Sequence, residues 1–272
     1  MDGMPASSNS YTRKKSPRVC LRKWLPGQPG AVMMAMSPAL AGAVASWCRY
    51  GWSAASWWLT VCWLLCYCVQ FSAARWFKSH GRRRWLAQPL AYGAALCGIG
   101  LPFVVRYPGI LVWAPPMAVL AAVSFIASWR REERSLWSNA VAVIAACLMS
   151  MLTFHYGQAP SPSVPRVDGT GALLACAFGV VQFGSVLFVK TMIRERGSGK
   201  YLAASWAWHV LAVFAAVLEG KPSLIALSAI LLARAIAMPL VSMKRTVKPL
   251  HTGLTELASS LLALATIIAA AV

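Results

Sequence analysis

Four ionisable side chains interrupt long apolar segments of this chain. Burying charge among the apolar groups of a membrane costs free energy, so such residues are candidate functional positions. Counted at about 1.5 Å per helical residue from the nearest charged connector, their depths run from about 5 Å to about 15 Å. All four therefore lie in the same half of their segments, and we expect them to face one polar cavity. They are Lys190, Glu256, His209 and Arg234.

A pair of cations marks the point where one apolar segment meets water. Lys190 and Arg194 are four residues apart, so they share one face of a helix, while Thr191 and Glu195 share the neighbouring face. Two cations on one face can hold a phosphate or a carboxylate through charge-assisted hydrogen bonds. The alternative is that both only contact anionic lipid head groups at the membrane surface. The spacing alone leaves both interpretations open.

Arg234 and Glu256 lie on neighbouring segments at similar depths, which predicts an ion pair between two antiparallel helices. His209 and Lys190 are the alternative partners of Glu256. The pair is either structural or part of a binding site, and the sequence does not separate these roles. Neutral polar residues complete the candidate set: Gln28 and Asn139, accompanied by Gln182 and Ser138.

The spacing of the histidines and cysteines does not fit a metal site, and it gives little support for nucleophilic catalysis. His80 and His155 belong to no HxxxH or HExxH pattern, and the cysteines form no CxxC pair. His209 has only Ser205, one helical turn away, as a nearby hydroxyl, which is weak evidence for a nucleophile and its base. We therefore predict no metal ion and no cofactor, and the sequence leaves open whether the protein is an enzyme.

The composition is that of a membrane protein. Apolar residues make up 58% of the 272 residues and charged residues only 12%, and the charges are bunched between the apolar segments. A net charge of +19 resembles a nucleic-acid footprint. The basic residues occupy short connectors, however, so membrane topology and anionic lipid of the cytoplasmic leaflet explain them better. We predict membrane lipids as partners and no nucleic acid.

Nine apolar segments are each about long enough to cross a membrane, since about 20 helical residues span roughly 30 Å. The sequence predicts an all-α, multi-pass bundle that forms a single domain over residues 31–272. Residues 1–30 are predicted to be a basic, disordered cytoplasmic leader. The segments are 31–48, 53–74, 86–105, 109–129, 137–156, 170–191, 202–219, 223–243 and 253–272.

The basic residues alternate in number from one connector to the next. The leader and the connectors after the second, fourth, sixth and eighth segments hold 21 Lys and Arg residues, whereas the remaining connectors hold four. Cytoplasmic connectors of membrane proteins carry the excess of Lys and Arg. The amino terminus is therefore predicted to be cytoplasmic and the carboxyl terminus to lie outside, in a bacterial cytoplasmic membrane.

Five longer motifs carry a family resemblance. Over most of residues 24–260 the chain resembles the YwiC-like family of bacterial integral membrane proteins. The resemblance implies a multi-pass membrane fold and names no reaction. The motifs are WLPGQPGAVMMAMSPALAG at 24–42, RRRWLAQPLAYG at 82–93, RREERSLWSNAVAV at 130–143, FGSVLFVKTMIRERG at 183–197 and KPLHTGLTE at 248–256.

Two positions depart from the pattern of this family. Its members look like QHGAW where this chain has Gln28, Pro29 and Gly30 followed by Ala-Val, so a histidine is replaced by proline. They also show Asn-Asp where this chain has Ser138 and Asn139. A mechanism that needs that histidine or aspartate is not expected here.

The predicted topology also resembles that of UbiA-type prenyltransferases, whose connectors after the second and sixth spans carry Asp-rich motifs that hold magnesium and a prenyl diphosphate. In this chain the first of these connectors has no acidic residue and the second has only Glu195. Magnesium needs hard oxygen ligands, so this likeness concerns the fold and not the reaction.

Three functions remain open at this stage. The first is binding of an anionic or phosphorylated lipid-like ligand in a cavity that opens to the cytoplasm between the sixth to ninth spans, as in a transferase or lipid-modifying enzyme. The second is transport of a small anion, which would need access from both sides of the membrane. The third is a non-catalytic role in membrane assembly. An apolar channel beside the cations would favour the first.

Overall fold

Nine long helices form the described part of the chain, which in this computed structural model comprises Trp24, residues 29–244 and residues 247–272. Together with the short helical segments that adjoin three of them, all nine are long and apolar enough to cross a membrane. No strand occurs among the described residues. The predicted all-α, multi-pass bundle is therefore confirmed. The helices are α1 Pro29–Tyr50, α2 Ala54–Lys78, α3 Ala87–Arg106, α4 Ala114–Trp129, α5 Leu136–Gln158, α6 Gly169–Val189, α7 Gly199–Glu219, α8 Pro222–Lys244 and α9 Pro249–Ala271.

Three short helical segments of other types extend these helices. A 3-10 segment, Arg83–Trp85, precedes α3, and a second, Pro108–Trp113, precedes α4. The fourth span was predicted as one helix from residue 109, but its α-helical part begins only at Ala114. Pro115 and Pro116 explain this start, because proline lacks the N–H that a residue inside a helix donates and so favours the first turn. A π-helical segment, Lys190–Arg194, continues α6.

Local sequence signals fix several helix ends. Ser135 caps α5 by accepting a hydrogen bond from the Ser138 N–H at 3.2 Å. Asp168 caps α6 through Oδ1, which accepts from the Gly171 N–H. Such caps satisfy N–H groups that have no partner within their own helix. Gly220 ends α7 in the left-handed conformation, with φ of 73°.

The centre of the bundle is the contact between α1 and α5, the most extensive between any two helices. Small residues allow this close approach: a Cβ added to Gly42 would lie 2.1 Å from the Ser150 carbonyl oxygen. Thr153 donates its hydroxyl hydrogen to the Ala39 carbonyl across the interface at 2.9 Å. The main partner of α1 is therefore four helices away in the sequence, because small residues on both helices allow van der Waals contact between the two backbones.

The other helices surround this central pair. α6 and α9 pack against α1 on one side, and α7 and α8 lie beyond them as a pair. α2 packs on α5 on the other side, with α3 and α4 both against α2. The side chains of α3 and α4 are mostly exposed, including Leu101, Val105 and Val119. Exposed apolar surface on these outer helices is what a protein surrounded by lipid chains presents.

Contacts at the two ends of the bundle join the connectors as the basic-residue pattern predicts. Lys78, at the end of α2, forms an ion pair with Glu133 in the connector after α4. Arg196, after α6, donates to the Ser242 carbonyl near the end of α8 at 2.8 Å. At the opposite end, Arg49 donates to the Ala271 carbonyl at 3.2 Å. Connectors rich in Lys and Arg thus lie at one end of the bundle.

Candidate functional site

A cavity of about 870 Å³ lies between α1, α6 and α9, with Asn139 at the start of α5 also in its wall. Its charged residues are Lys190, Arg194 and Glu256. They lie where α6 ends and where α9 begins, which is the end of the bundle rich in Lys and Arg. Away from this end, the wall is chiefly apolar as far as Phe178. Sixteen helical residues separate Phe178 from Arg194, so the cavity runs about 24 Å along α6.

Lys190 is buried in the cavity wall, with only 7% of its surface exposed. Its Nζ lies 5.6 Å from the centre of the Tyr201 ring. The ion pairs among the described residues join Lys78 to Glu133 and Arg234 to Glu256, and neither includes Lys190. A buried lysine that no carboxylate pairs within 4.0 Å is costly. The positive charge of Lys190 is therefore available to a ligand.

A π-helical turn shapes the cationic end of the cavity. In this segment, Lys190–Arg194, each turn holds an extra residue, and the Glu195 N–H donates to the Lys190 carbonyl at 2.8 Å. Thr191 donates its hydroxyl hydrogen to the Leu187 carbonyl at 2.9 Å. Both cations, Lys190 and Arg194, line the cavity. Single π-turns within helices occur often at functional sites, and no sequence signal predicted this one.

Arg234 and Glu256 form the ion pair that the sequence predicted. Arg234 Nη1 donates to Glu256 Oε2 at 2.9 Å, and their side chains are 7% and 15% exposed. The guanidinium carbon of Arg234 also lies 4.1 Å from the centre of the Phe188 ring. Arg234 Nε and Nη2 have no hydrogen-bond partner within the described residues. Glu256 lines the cavity, whereas Arg234 does not. The ion pair therefore holds a residue of the cavity wall to α8.

His209 is packed between helices and does not line the cavity. Its side chain is buried, and Nδ1 lies 2.7 Å from the Ser205 carbonyl oxygen on the same helix. A Cβ added to Gly184 on α6 would lie 3.2 Å from its Nε2, which shows how closely the ring approaches that helix. His209 therefore serves the contact between α6 and α7.

The structure brings together only part of the predicted set. Lys190, Arg194, Asn139 and Glu256 line one cavity, and Arg234 contacts it through Glu256. Glu195 and His209 are not in its wall. Gln28 lies outside the described residues. The predicted cavity was lined by the sixth to ninth spans, but this one is lined by the first, fifth, sixth and ninth, because α7 and α8 pack on the outer sides of α6 and α9.

Several polar residues deeper in the cavity were absent from the predicted set of ligand contacts. Ser37, Ser185 and Ser260 line it, on three different helices. Gln182 also lines it, whereas the sequence predicted it only as a neutral polar residue that accompanies the candidate contacts. A glutamine within the apolar run VVQFGS was a usable signal. No such sequence signal marked the serines. Serine is common in membrane helices, and the direction of its hydroxyl depends on how the helices pack.

Within the described residues, no three His, Cys, Asp or Glu side chains come together as a possible metal-ion site. The cavity offers Glu256 as its carboxylate, and one of the two carboxylate oxygens is already bonded to Arg234. Its cations instead match a negatively charged group.

Comparison with known proteins shows similarity to uncharacterised bacterial proteins. The family described as YwiC-like protein matches residues 25–154. An uncharacterised protein of Haemophilus influenzae is 23% identical over 188 residues, which cover 68% of this chain and 73% of that protein. The uncharacterised protein YwiC of Bacillus subtilis is 22% identical over 158 residues, which cover 58% of this chain and 64% of that protein. No solved structure matches the chain significantly.

Proposed function

We propose that this multi-pass membrane protein binds an anionic or phosphorylated amphiphile in the cavity between α1, α6 and α9. Its resemblance to the YwiC-like family is confirmed. In this proposal the protein lies in the bacterial cytoplasmic membrane, with its amino terminus in the cytoplasm. The cationic end of the cavity then faces the cytoplasmic leaflet, where phosphorylated lipid head groups are available.

The observation that carries the proposal is the buried Lys190, which no carboxylate among the described residues pairs within 4.0 Å. A cation at such a position destabilises the empty protein unless an anion neutralises it. Arg194, one turn away in the same wall, supplies a second set of donors. A phosphate bridging both side chains forms charge-assisted hydrogen bonds with each.

The rest of the cavity favours an amphiphile over a small free anion. Twelve helical residues separate Lys190 from Phe178, so about 18 Å of largely apolar wall extends beyond the cations. A small anion fills only the charged end and leaves this space without a function. An alkyl or prenyl chain fills it and gains free energy from burial of its apolar surface.

The test is binding of octadecyl phosphate to the full chain in nanodiscs of phosphatidylcholine. Lys190→Gln and Arg194→Gln are each expected to weaken binding by about tenfold or more, since hydrogen bonds to charged groups contribute about 1.5–3 kcal/mol. Lys200→Gln is the matched control, because it removes a charge from an exposed residue near the start of α7 that lies outside the cavity wall. Equal binding by all three variants would overturn the proposal. Inorganic phosphate that binds as tightly as octadecyl phosphate would show that the apolar wall contributes nothing.

A further inference from the structure

A belt of uncharged polar side chains crosses the apolar depth of the cavity. We call it the polar belt, and it consists of Ser37 on α1, Gln182 and Ser185 on α6, and Ser260 on α9. Counted along their helices from the charged end of the bundle, these residues lie about 12–18 Å deep. That depth is near the middle of a membrane, where unneeded polar groups are unfavourable.

Gln182 is held in a fixed orientation. Its Nε2 donates to the Met34 carbonyl at 2.8 Å and to the Ser37 hydroxyl at 3.2 Å, both on α1. Only 6% of the residue is exposed. Its Oε1 has no hydrogen-bond partner within the described part of the chain. Buried carbonyl oxygens nearly always accept a hydrogen bond, so Gln182 Oε1 is an acceptor that lacks a donor.

Two other hydroxyls, those of Ser185 and Ser260, line the cavity together with Gln182. Ser46 and Ser150 donate to carbonyls of their own helices, and Ser259 donates to the Thr255 carbonyl at 2.8 Å. Such back-bonding satisfies a serine in a membrane helix without any ligand. Among the described residues, Ser185 and Ser260 form no such bond. Their hydroxyls remain available inside the cavity.

We propose that the bound amphiphile carries a hydroxyl group on its apolar portion and that the polar belt binds this hydroxyl. Gln182 Oε1 accepts its hydrogen, while Ser185 or Ser260 donates to its oxygen. Eight residues separate Lys190 from Gln182, so the hydroxyl lies about 12 Å from the anionic group. This inference rests on the proposed function, because the anionic group at Lys190 sets the depth of the chain.

The test compares octadecyl phosphate with octadecyl phosphate that has one hydroxyl in the middle of its chain. Both are titrated into the full chain in phosphatidylcholine nanodiscs. The hydroxylated probe is expected to bind about threefold to tenfold more tightly, because the buried Gln182 Oε1 and a serine hydroxyl each gain a hydrogen-bond partner. Equal affinities would overturn the inference. If neither probe binds, the proposed function itself fails, and the inference fails with it.

Two variants identify the residues responsible. Gln182→Leu and the double variant Ser185→Ala with Ser260→Ala are expected to lose the preference and still bind unmodified octadecyl phosphate. The double variant guards against loss of folding, since Gln182→Leu also removes a contact with α1. Ser259→Ala is the control, and it should keep the full preference because its hydroxyl is bonded within α9. A preference that survives in the double variant and in Gln182→Leu would exclude the polar belt as its source.

Discussion

Arg234 and Glu256 face each other across the interface of α8 and α9, with Arg234 Nη1 donating to Glu256 Oε2 at 2.9 Å. Each residue compensates the charge of the other in a region that excludes water. Glu256 also lines the cavity whose wall contains Lys190. The same carboxylate therefore serves the packing of two helices and the electrostatic balance of the site.

Loss of this carboxylate is expected to destabilise the bundle. Glu256→Gln leaves Arg234 as a buried charge without its partner, and we expect a loss of about 3–5 kcal/mol in the free energy of unfolding. Thermal unfolding in detergent measures the change. Glu219→Gln is the control, because Glu219 is exposed at the end of α7. Exchanging the two residues, with Arg234→Glu and Glu256→Arg together, should recover part of the stability. A Glu256→Gln protein as stable as the control would contradict a structural role for the pair.

Removal of the buried lysine is expected to have the opposite effect on stability. Lys190→Met keeps the length of the apolar stem and removes a charge that no acidic side chain among the described residues pairs within 4.0 Å. We expect the ligand-free protein to gain about 1–3 kcal/mol in the free energy of unfolding, while its binding of octadecyl phosphate weakens by about tenfold or more. Residues kept for binding often oppose stability in this way. A lower unfolding temperature for Lys190→Met would show that Lys190 has a structural role instead.

The close approach of α1 and α5 gives a third prediction. Gly42→Ala places a Cβ 2.1 Å from the Ser150 carbonyl oxygen, so the helices must separate. We expect a loss of about 1–3 kcal/mol and a lower yield of folded protein by size-exclusion chromatography. Gly98→Ala is the matched control, because a Cβ at Gly98 meets nothing within 4 Å. Alanine is also the better helix former, so this control should be neutral or slightly stabilising. If both variants behave alike, the close contact is not a determinant of stability.

The distribution of basic residues predicts opposite locations for the two chain ends. A reporter fused before residue 1 should be cytoplasmic, and one fused after Val272 should lie outside, because nine spans separate them. Alkaline phosphatase, which is active only outside the cytoplasm, and green fluorescent protein, which fluoresces in the cytoplasm, report the two locations. Both ends on the same side would refute an odd number of spans.

The sequence by itself determined the class of protein and the order of its helices. The apolar segments and the alternating connectors depend only on local composition, because a membrane span needs a fixed length of apolar residues whatever its neighbours are. The pairing of Arg234 with Glu256 was also predictable. Two opposite charges at similar depth on consecutive helices have few other partners in a membrane.

Only the tertiary structure decided which helices enclose the cavity. α1 lies against α5, α6 and α9 because small residues such as Gly42 fit between two backbones, and this complementarity cannot be read from either helix alone. That placement sets α7, with His209, outside the cavity wall. It also brings Ser37 to Gln182, from helices far apart in sequence. Local spacing gives the depth of a side chain, whereas its neighbours across the bundle depend on how the helices pack together.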